Sequence, residues 1–398
     1  MIRQLLKLIW NRRRSLVWIF IEQVLVFIVL FYCFTSIVDR IVVYYSEGKL
    51  EVEGVFSVLY DVIEPSEPAG VQESQEPVDY RQSFYNMVNN FRSLPSVDIV
   101  SFGKKGALPV INNYVQDSVG YQNHKRIALI KYCDANYYRI FQPKLSEGSW
   151  FGDQTPEDIA PAVITQKLAD NLGITGNILG QVIQYNNRPF KVIGVVKAYK
   201  ERDVENMVPV IFMPLSLLDI TDISMEYIVK CKKGNESAFV KDFLAAFKRD
   251  MPQDRVSPII LDLAKFRNTI NFYGFFQVYI MVIPTIFLVI FAFLGTFGLV
   301  WIQSKKRMGE FGIRTALGSS PVRLQWDIIA ESLILTNLAM IPGYIMIINL
   351  YAFAPKGWEW FAAVGASIVL MWLFSIISAW YPAWKTSKVQ PVDALRSS

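Results

Sequence analysis

Glu310 and Arg314 stand four residues apart, a spacing that places opposite charges on one face of a helix where they can pair. Asp327 and Glu331 repeat that spacing at the start of an apolar run, and Glu22 lies about two turns into another. A charge inside such a run is costly unless it is paired or close to lipid headgroups. Glu22 therefore either snorkels or is protonated, or it makes a helix–helix contact, for example with a Lys or Arg of the 303–326 loop. Asp327 and Glu331 pose the same choice. Residues suited to covalent or metal chemistry are sparse. His124 is the only histidine, which excludes a multi-histidine metal site, and no histidine-based triad is assigned around it. No GxxxxGK[ST] stretch occurs, so these residues contain no P-loop. Asp134, Glu147, Asp153 and Asp158 are spread over helix caps and loops, so no catalytic, cofactor-binding or metal-binding residue is assigned. Cys33 falls in an apolar run, while Cys133 and Cys231 either form one disulfide or remain two free thiols. Asn235-Glu-Ser237 matches a glycosylation sequon but reads as a chance tripeptide.

The elements that position these residues follow from hydropathy. With 52% apolar residues alongside 40 basic and 35 acidic ones, the composition is a mixture of membrane and aqueous parts. Phe272–Ile302, Ile328–Tyr351 and Phe361–Trp384 are each long enough to cross a bilayer, which takes about 20 residues. Ser15–Val38 is a fourth, interrupted by Glu22 and Gln23. Its apolar run is too long for a signal peptide and lacks a small-x-small cleavage site, so a retained helix is expected. Basic residues cluster before the first span (Arg3, Lys7, Arg12, Arg13, Arg14), between the second and third (Lys305, Lys306, Arg307, Arg314, Arg323) and after the fourth (Lys385, Lys388, Arg396). Only Lys356 lies between the third and fourth. By the positive-inside rule both termini and the 303–326 loop are cytoplasmic. The net charge of +5 reflects this bias and gives no reason to expect nucleic acid as a partner.

The expected organisation is a cytoplasmic start (1–14), a first span (15–38), an extracytoplasmic domain (39–271), a second span (272–302), a cytoplasmic loop (303–326), a third span (327–351), a short outer loop (352–360), a fourth span (361–384) and a cytoplasmic tail (385–398). The fold class is thus a four-helix membrane protein with a large α+β domain between helices 1 and 2. Within that domain Glu64–Pro77 reads as a flexible loop, and Tyr80–Arg92 as a helix with Phe84, Met87, Val88 and Phe91 on one face. Val97–Phe102, Arg126–Tyr132, Ala162–Thr165, Val208–Met213 and Glu226–Cys231 read as strands. Asp134 opens a capped helix, and Leu145–Phe151 reads as a turn into an exposed loop. Thr165 is placed to cap a helix Gln166–Leu172 closed by Gly173. Asn186-Asn187 joins Gln181–Tyr185 to Phe190–Val196 as a hairpin, because Asn tolerates positive φ. A last helix is expected over Glu236–Arg249.

The 303–326 loop reads as a short helix, a turn at Gly318, and a second helix that starts at Ser319-Ser320-Pro321 and runs into the third span. It is either an ordinary amphipathic re-entry loop or a docking element that a cytoplasmic partner can push. Pro284, Pro342-Gly343 and Gly295-Thr-Phe-Gly298 mark kinks or close helix packing, and no span carries the run of polar residues that a substrate pathway would need.

Three regions carry a resemblance to the MacB/FtsX-type permeases of ABC transporters. They are Lys306-Arg-Met-Gly-Glu-Phe-Gly-Ile-Arg-Thr-Ala-Leu-Gly-Ser-Ser, with Glu331 where that family places a glutamate early in the third span; the tail Tyr381-Pro-Ala-Trp through Pro391-Val-Asp-Ala-Leu-Arg; and Ala160–Val196, ending in Phe190-Lys-Val-Ile-Gly-Val-Val. Two positions depart from the pattern. Thr315 stands where a basic residue is common, and Pro321-Val-Arg-Leu replaces a more polar run. The resemblance implies a mechanotransmission-type permease of the inner membrane, without catalysis of its own. It would pair with a second copy or a paralogue, embedded in lipid, and be driven by cytoplasmic P-loop ATPase subunits that hold the ATP and Mg. The chain opens at its first span, so that ATPase is expected as a separate chain. Glu310, Phe311, Gly312, Ile313, Arg314, Ala316, Leu317 and Gly318 would couple to it. Motion would reach the outer domain through the helices without substrate crossing the membrane centre, exporting or extracting a hydrophobic or amphipathic substrate, with room for a periplasmic adaptor. The alternative is a signalling scaffold that regulates a cell-wall hydrolase or sensor kinase.

Overall fold

The computed structural model describes residues 13–62, 80–111, 113–152, 159–218, 225–250, 256–350 and 357–387. Glu64–Pro77, Asp153, Asp158, Arg3, Lys7, Arg12, Lys356 and the tail beyond Ser387 lie outside them. The chain divides into a helical unit, residues up to Val42 with Phe275 onward, and a sheet unit, Val43–Gly274.

In chain order, α1 (Arg13–Tyr45) precedes β1 (Val55–Val62), α2 (Tyr80–Ser93), β2 (Val97–Lys104), β3 (Val115–Tyr121), β4 (His124–Cys133), α3 (Asn136–Phe141), β5 (Leu145–Gly148), β6 (Ala160–Thr165), α4 (Gln166–Leu172), β7 (Val182–Tyr185), β8 (Arg188–Val196), β9 (Val210–Pro214), β10 (Met225–Cys231), α5 (Glu236–Asp250) and β11 (Val256–Asp262). These strands make one sheet in the order β11-β1-β10-β2-β4-β3-β7-β8-β6-β9, with β5 on β8. Because β9 also pairs in parallel with β4, the strands from β4 to β9 close into a ring, and β2, β10, β1 and β11 continue as an open antiparallel sheet.

Each part has its own apolar filling. Ala128, Ile164, Leu168, Ile183, Val192 and Ile211 pack together in the ring. On the open sheet, α2 contributes Met87, Val88 and Phe91, and α5 contributes Phe239, Phe243 and Phe247 at four-residue spacing. Phe91 and Phe243 stack at 5.5 Å. The local signals are met: Thr165 Oγ1 accepts the Leu168 N–H, and Gly173 closes α4 at φ 73°. Asn186 and Asn187 take φ 48° and 59° in the hairpin between β7 and β8. Asp134 accepts the Tyr137 N–H at the start of α3.

Two expectations change, and the open choice for Cys133 and Cys231 is resolved. Leu145–Gly148 is not a loop but a strand, held by β8 backbone from Gly194 to Val196. Helix α1 continues to Tyr45, and the helix through the second apolar run begins at Leu263, ahead of Phe272. Cys133 and Cys231 are free thiols, buried in separate cores.

One charged cluster is buried in the sheet unit. The Lys131 ammonium, fully buried, donates to the carbonyls of Gly106 (3.0 Å) and Ala107 (3.1 Å) and meets the Glu201 carboxylate at 2.7 Å. Glu226 accepts the Gly106 and Leu108 N–H groups at 2.9 and 2.8 Å, so the turn at 106–108 is gripped from both sides. Burial raises the Glu201 carboxyl above its ordinary value, with the Lys131 charge opposing that rise. Glu226 is raised by burial too, against its backbone donors.

Removing one partner of such a pair strands the other in low dielectric. Lys131→Met should destabilise the protein by about 3–5 kcal/mol, whereas Lys131→Met with Glu201→Leu should recover most of that loss. Thermal unfolding of the full chain in detergent reads both. Both carboxyls bind protons more tightly folded than unfolded, so in the window above 4.5 their contribution to stability falls as pH rises. The double variant should remove the Glu201 share of that slope and leave that of Glu226.

Candidate coupling site

The helical unit continues with α6 (Leu263–Lys306), α7 (Met308–Ala316), α8 (Pro321–Leu350) and α9 (Trp358–Ser387). Helices α1, α6, α8 and α9 are long and apolar enough to cross a membrane. They pack through small residues: Ser332 and Ser375 hydroxyls meet at 2.9 Å between α8 and α9, and Ala339, Ala363, Ser367, Ala379 and Ala383 are fully buried. A side chain at Gly343 would strike the Phe27 ring, which marks close packing of α8 on α1. Gly298 has open space around it, so the close approach of the Gly295-Thr-Phe-Gly298 stretch rests on Gly295.

Between α6 and α8 the chain turns twice. Arg307, at φ −101° and ψ 5°, leaves the helical conformation and starts α7. Gly318, at φ 92°, ends it; the Ser319 N–H reaches back to the Arg314 carbonyl at 2.9 Å, which satisfies the helix terminus. The Ser320 hydroxyl accepts the Arg323 N–H, and Pro321 takes the first position of α8, where its missing N–H costs nothing.

The charges form one alternating chain. Arg307 donates to Glu331 at 2.6 Å and to Glu310 at 3.2 Å. Arg314 donates to Glu310 at 2.7 Å and lies 3.6 Å from Asp327. The Glu310–Arg314 pair anticipated from spacing is formed, and Asp327 and Glu331 each take an arginine from the loop. Glu22 differs. Its carboxylate packs where a side chain at Gly295 of α6 would stand, 3.0 Å from that position, and among the described residues it forms no ion pair with the loop. Burial works against the Arg307 charge, but Glu331 and Glu310 outweigh it and move its pKa above the ordinary arginine value. Beside this chain lies a cavity of about 30 Å³ bounded by Thr296, Gln303 and Glu331. Thr296 Oγ1, Gln303 Nε2 and the second Glu331 oxygen have no hydrogen-bond partner among the described residues.

Helix α7 has two faces. Phe311 (2% exposed) and Gly312 point inward, where Phe311 packs with Leu324, Ile328, Ile329, Ala379 and Ala383. Of the Pro-Val-Arg-Leu departure, Leu324 fills that core, while Val322 is exposed. Ile313 (52% exposed), Ala316 and Leu317 (82% exposed) face outward at i, i+3 and i+4. Gly318 is exposed beside them. Sequence spacing alone did not separate these faces; the burial of Phe311 does. At the same end of the bundle the Lys305 and Lys385 ammonium groups lie 5.4 and 5.0 Å from the Trp301 ring, which stacks on Tyr381 at 5.8 Å.

Comparison with known proteins agrees with this arrangement. A family model described as the MacB-like periplasmic core domain matches residues 59–246, and one described as the FtsX-like permease C-terminal domain matches 281–391. The chain belongs to the MacB/FtsX-type permeases of ABC transporters, with a MacB-like periplasmic domain between its first and second membrane helices. It is 23% identical over 336 residues to the macrolide export ATP-binding/permease protein MacB of Escherichia coli, covering 79% of this chain and 50% of that one. It is 24% identical over 307 residues to the pyoverdine export ATP-binding/permease protein PvdT of Pseudomonas fluorescens (strain Pf0-1), covering 72% and 45%. It is 25% identical over 284 residues to the uncharacterized ABC transporter permease YvrN of Bacillus subtilis (strain 168), covering 66% and 68%. The chain thus spans no more than about half the length of the MacB and PvdT relatives.

The two ion pairs of α7 should differ in strength. A double-mutant cycle on Arg307→Gln and Glu331→Gln, read by thermal unfolding in detergent, should give a coupling of about 1–3 kcal/mol for this buried pair. The same cycle on Glu310 and Arg314, both part-exposed, should give about 0.5 kcal/mol or less.

Proposed function

We propose that this chain is the membrane subunit of an ABC exporter in which a partner P-loop ATPase docks on α7 and its nucleotide cycle moves the sheet unit. The observation that carries this reading is the outward apolar triad Ile313, Ala316 and Leu317, held on a helix whose other face is anchored by Phe311 and Arg307. An exposed leucine at the tip of a braced helix is ill suited to water and well suited to a groove on a partner. The 398 residues contain no P-loop, and in this reading the nucleotide and its Mg are held by the partner.

The basic residues flanking the spans support a cytoplasmic α7 and cytoplasmic termini, with the sheet unit on the outer side of the inner membrane. Helix α6 is the least covered of the four spans, with 11% of its apolar window buried against 39% for each of the others. It therefore offers the face on which a second permease copy and the surrounding lipid would pack. The proposed substrate class is hydrophobic or amphipathic, in keeping with a relative named for macrolide export. An adaptor on the outer side would fit the same arrangement.

Ile313→Asp and Leu317→Asp should each lower recovery of the cognate ATPase with the affinity-tagged full chain by tenfold or more, because each removes about 1.5–3 kcal/mol of apolar burial. Leu244→Asp, on α5 of the sheet unit, should leave recovery unchanged. Undiminished ATPase recovery with both α7 variants would sink the docking assignment.

A further inference from the structure

Just beyond the last turn of α1, the sheet unit holds an open cavity of about 230 Å³ that the coupling reading does not use. Its lining includes Lys49, Lys144 and Lys197 and one acid, Glu47. Glu47 pairs with Lys197 at 2.8 Å, and the Lys197 and Lys144 charges hold its carboxyl below the usual range. The lining residues therefore carry an excess of two positive charges. The lysines are placed by backbone: the Lys197 N–H donates to the Lys144 carbonyl at 2.9 Å, and the Lys200 N–H donates to Gly48 at 3.1 Å. Gly48 takes φ 108°, and a side chain there would press on residues 198–200, so the segment 46–49 follows one course. Lys200 is already engaged: its ammonium donates to the Val43 carbonyl in the last turn of α1 and to the Ser46 carbonyl just past it. Burial and the nearby Lys49 charge lower its pKa.

The cavity's place in the chain says where its ligand comes from. The apolar span of α1 runs to Tyr45, and Ser46–Lys49 follow at once, within about 14 Å of fully extended chain. Tyr45 is 78% exposed, and Lys49 lies 3.5 Å over the Tyr44 ring. Tyrosines and lysines at the end of an apolar helix mark the depth of lipid headgroups, where the phosphates are.

We propose that this cavity binds a phosphate oxyanion, that of an anionic phospholipid headgroup in the leaflet facing the sheet unit, with Lys49, Lys144 and Lys197 as its ligands. Lysine suits this role as a mobile point charge, and the cavity has room for the phosphate and the first atoms of its ester. Binding there would fix the outer end of α1 at the membrane surface.

The test uses the full chain in neutral detergent, with thermal unfolding followed during titration with dihexanoyl-phosphatidylglycerol, dihexanoyl-phosphatidylcholine or inorganic phosphate. The phosphatidylglycerol should raise Tm saturably, and its midpoint should weaken at least fivefold in Lys144→Gln/Lys197→Gln and also in Lys49→Gln. It should be unchanged in Lys125→Gln/Lys167→Gln, which removes two exposed charges elsewhere. Unliganded Tm values within a degree or two of wild type show that the variants fold. If inorganic phosphate at equal concentration stabilises as well as the lipid, and does so through the same lysines, the lipid assignment is overturned in favour of a soluble phosphate. If none of the three distinguishes wild type from the lysine variants, the site itself is refuted.

Discussion

The guanidinium of Arg307 is the point on which the α6–α8 junction depends. It is the residue at which α6 has ended and α7 has not yet begun, and it reaches both Glu310, one turn ahead, and Glu331, deep in α8. Without it Glu331 would be a lone carboxylate within an apolar segment, a placement that costs several kcal/mol. With it, a charge that the apolar helix tolerates poorly becomes the anchor for a helix that lies outside the span. The second Glu331 oxygen faces the small polar cavity beside Thr296 and Gln303, a space of the size that holds about one water. The carboxylate is thus held from the loop through one oxygen, while the other faces the polar wall of the bundle.

How much of this could be read in the sequence depends on distance along the chain. The four spans were legible because about 20 apolar residues in a row admit few other structures. The turns around α7 were legible because Gly318 and Pro321 act locally, and the Glu310–Arg314 pair because helical geometry fixes what four residues apart means. The Arg307–Glu331 pair was not, since nothing local joins residues 24 apart in sequence. In the sheet unit the hairpin at Asn186-Asn187 and the Thr165 cap could be read for the same local reason. Strand β3 could not: its first four residues are exposed, so the alternation that marks a half-buried strand is missing. Closure of the ring through β4 and β9 joins residues about 80 apart, which no periodicity announces. Leu263–Asn271 looked unlike a membrane helix because Lys265 and Arg267 interrupt it, although they extend α6 as a polar turn.

Both units bury a charge network, and the two solve the cost differently. In the sheet unit Lys131 is fully enclosed, so its ammonium needs every donor satisfied, and two carbonyls and Glu201 supply that. Such a cluster fixes one arrangement of the 106–108 turn against Tyr137 and Tyr199, whose hydroxyls meet at 3.2 Å. At α7 the network is graded: the Arg307–Glu331 end is nearly closed to solvent, and the Arg314–Glu310 end is open. Attraction between charges is strong where water is excluded and weak where it is not. The inner end of α7 is therefore held firmly and its outer end more lightly.

That gradient matters for any element meant to carry force. Burial of Ile313 and Leu317 in a partner's groove yields only about 3–6 kcal/mol, before the costs of association are subtracted. So small a contact cannot also afford to order a floppy helix. It must meet one already in place, and α7 is placed by Phe311 in its apolar pocket and Arg307 in its carboxylate pair. In the proposed docking, a push on Leu317 would act on a helix whose inner face is packed against Leu324 and Ile328 of α8 and Ala379 and Ala383 of α9, so the load would pass directly into two membrane helices. A hinge at Arg307 alone, without the Phe311 packing, would let α7 swing and absorb the motion. The polar pair fixes the pivot, and the apolar contact makes the lever stiff.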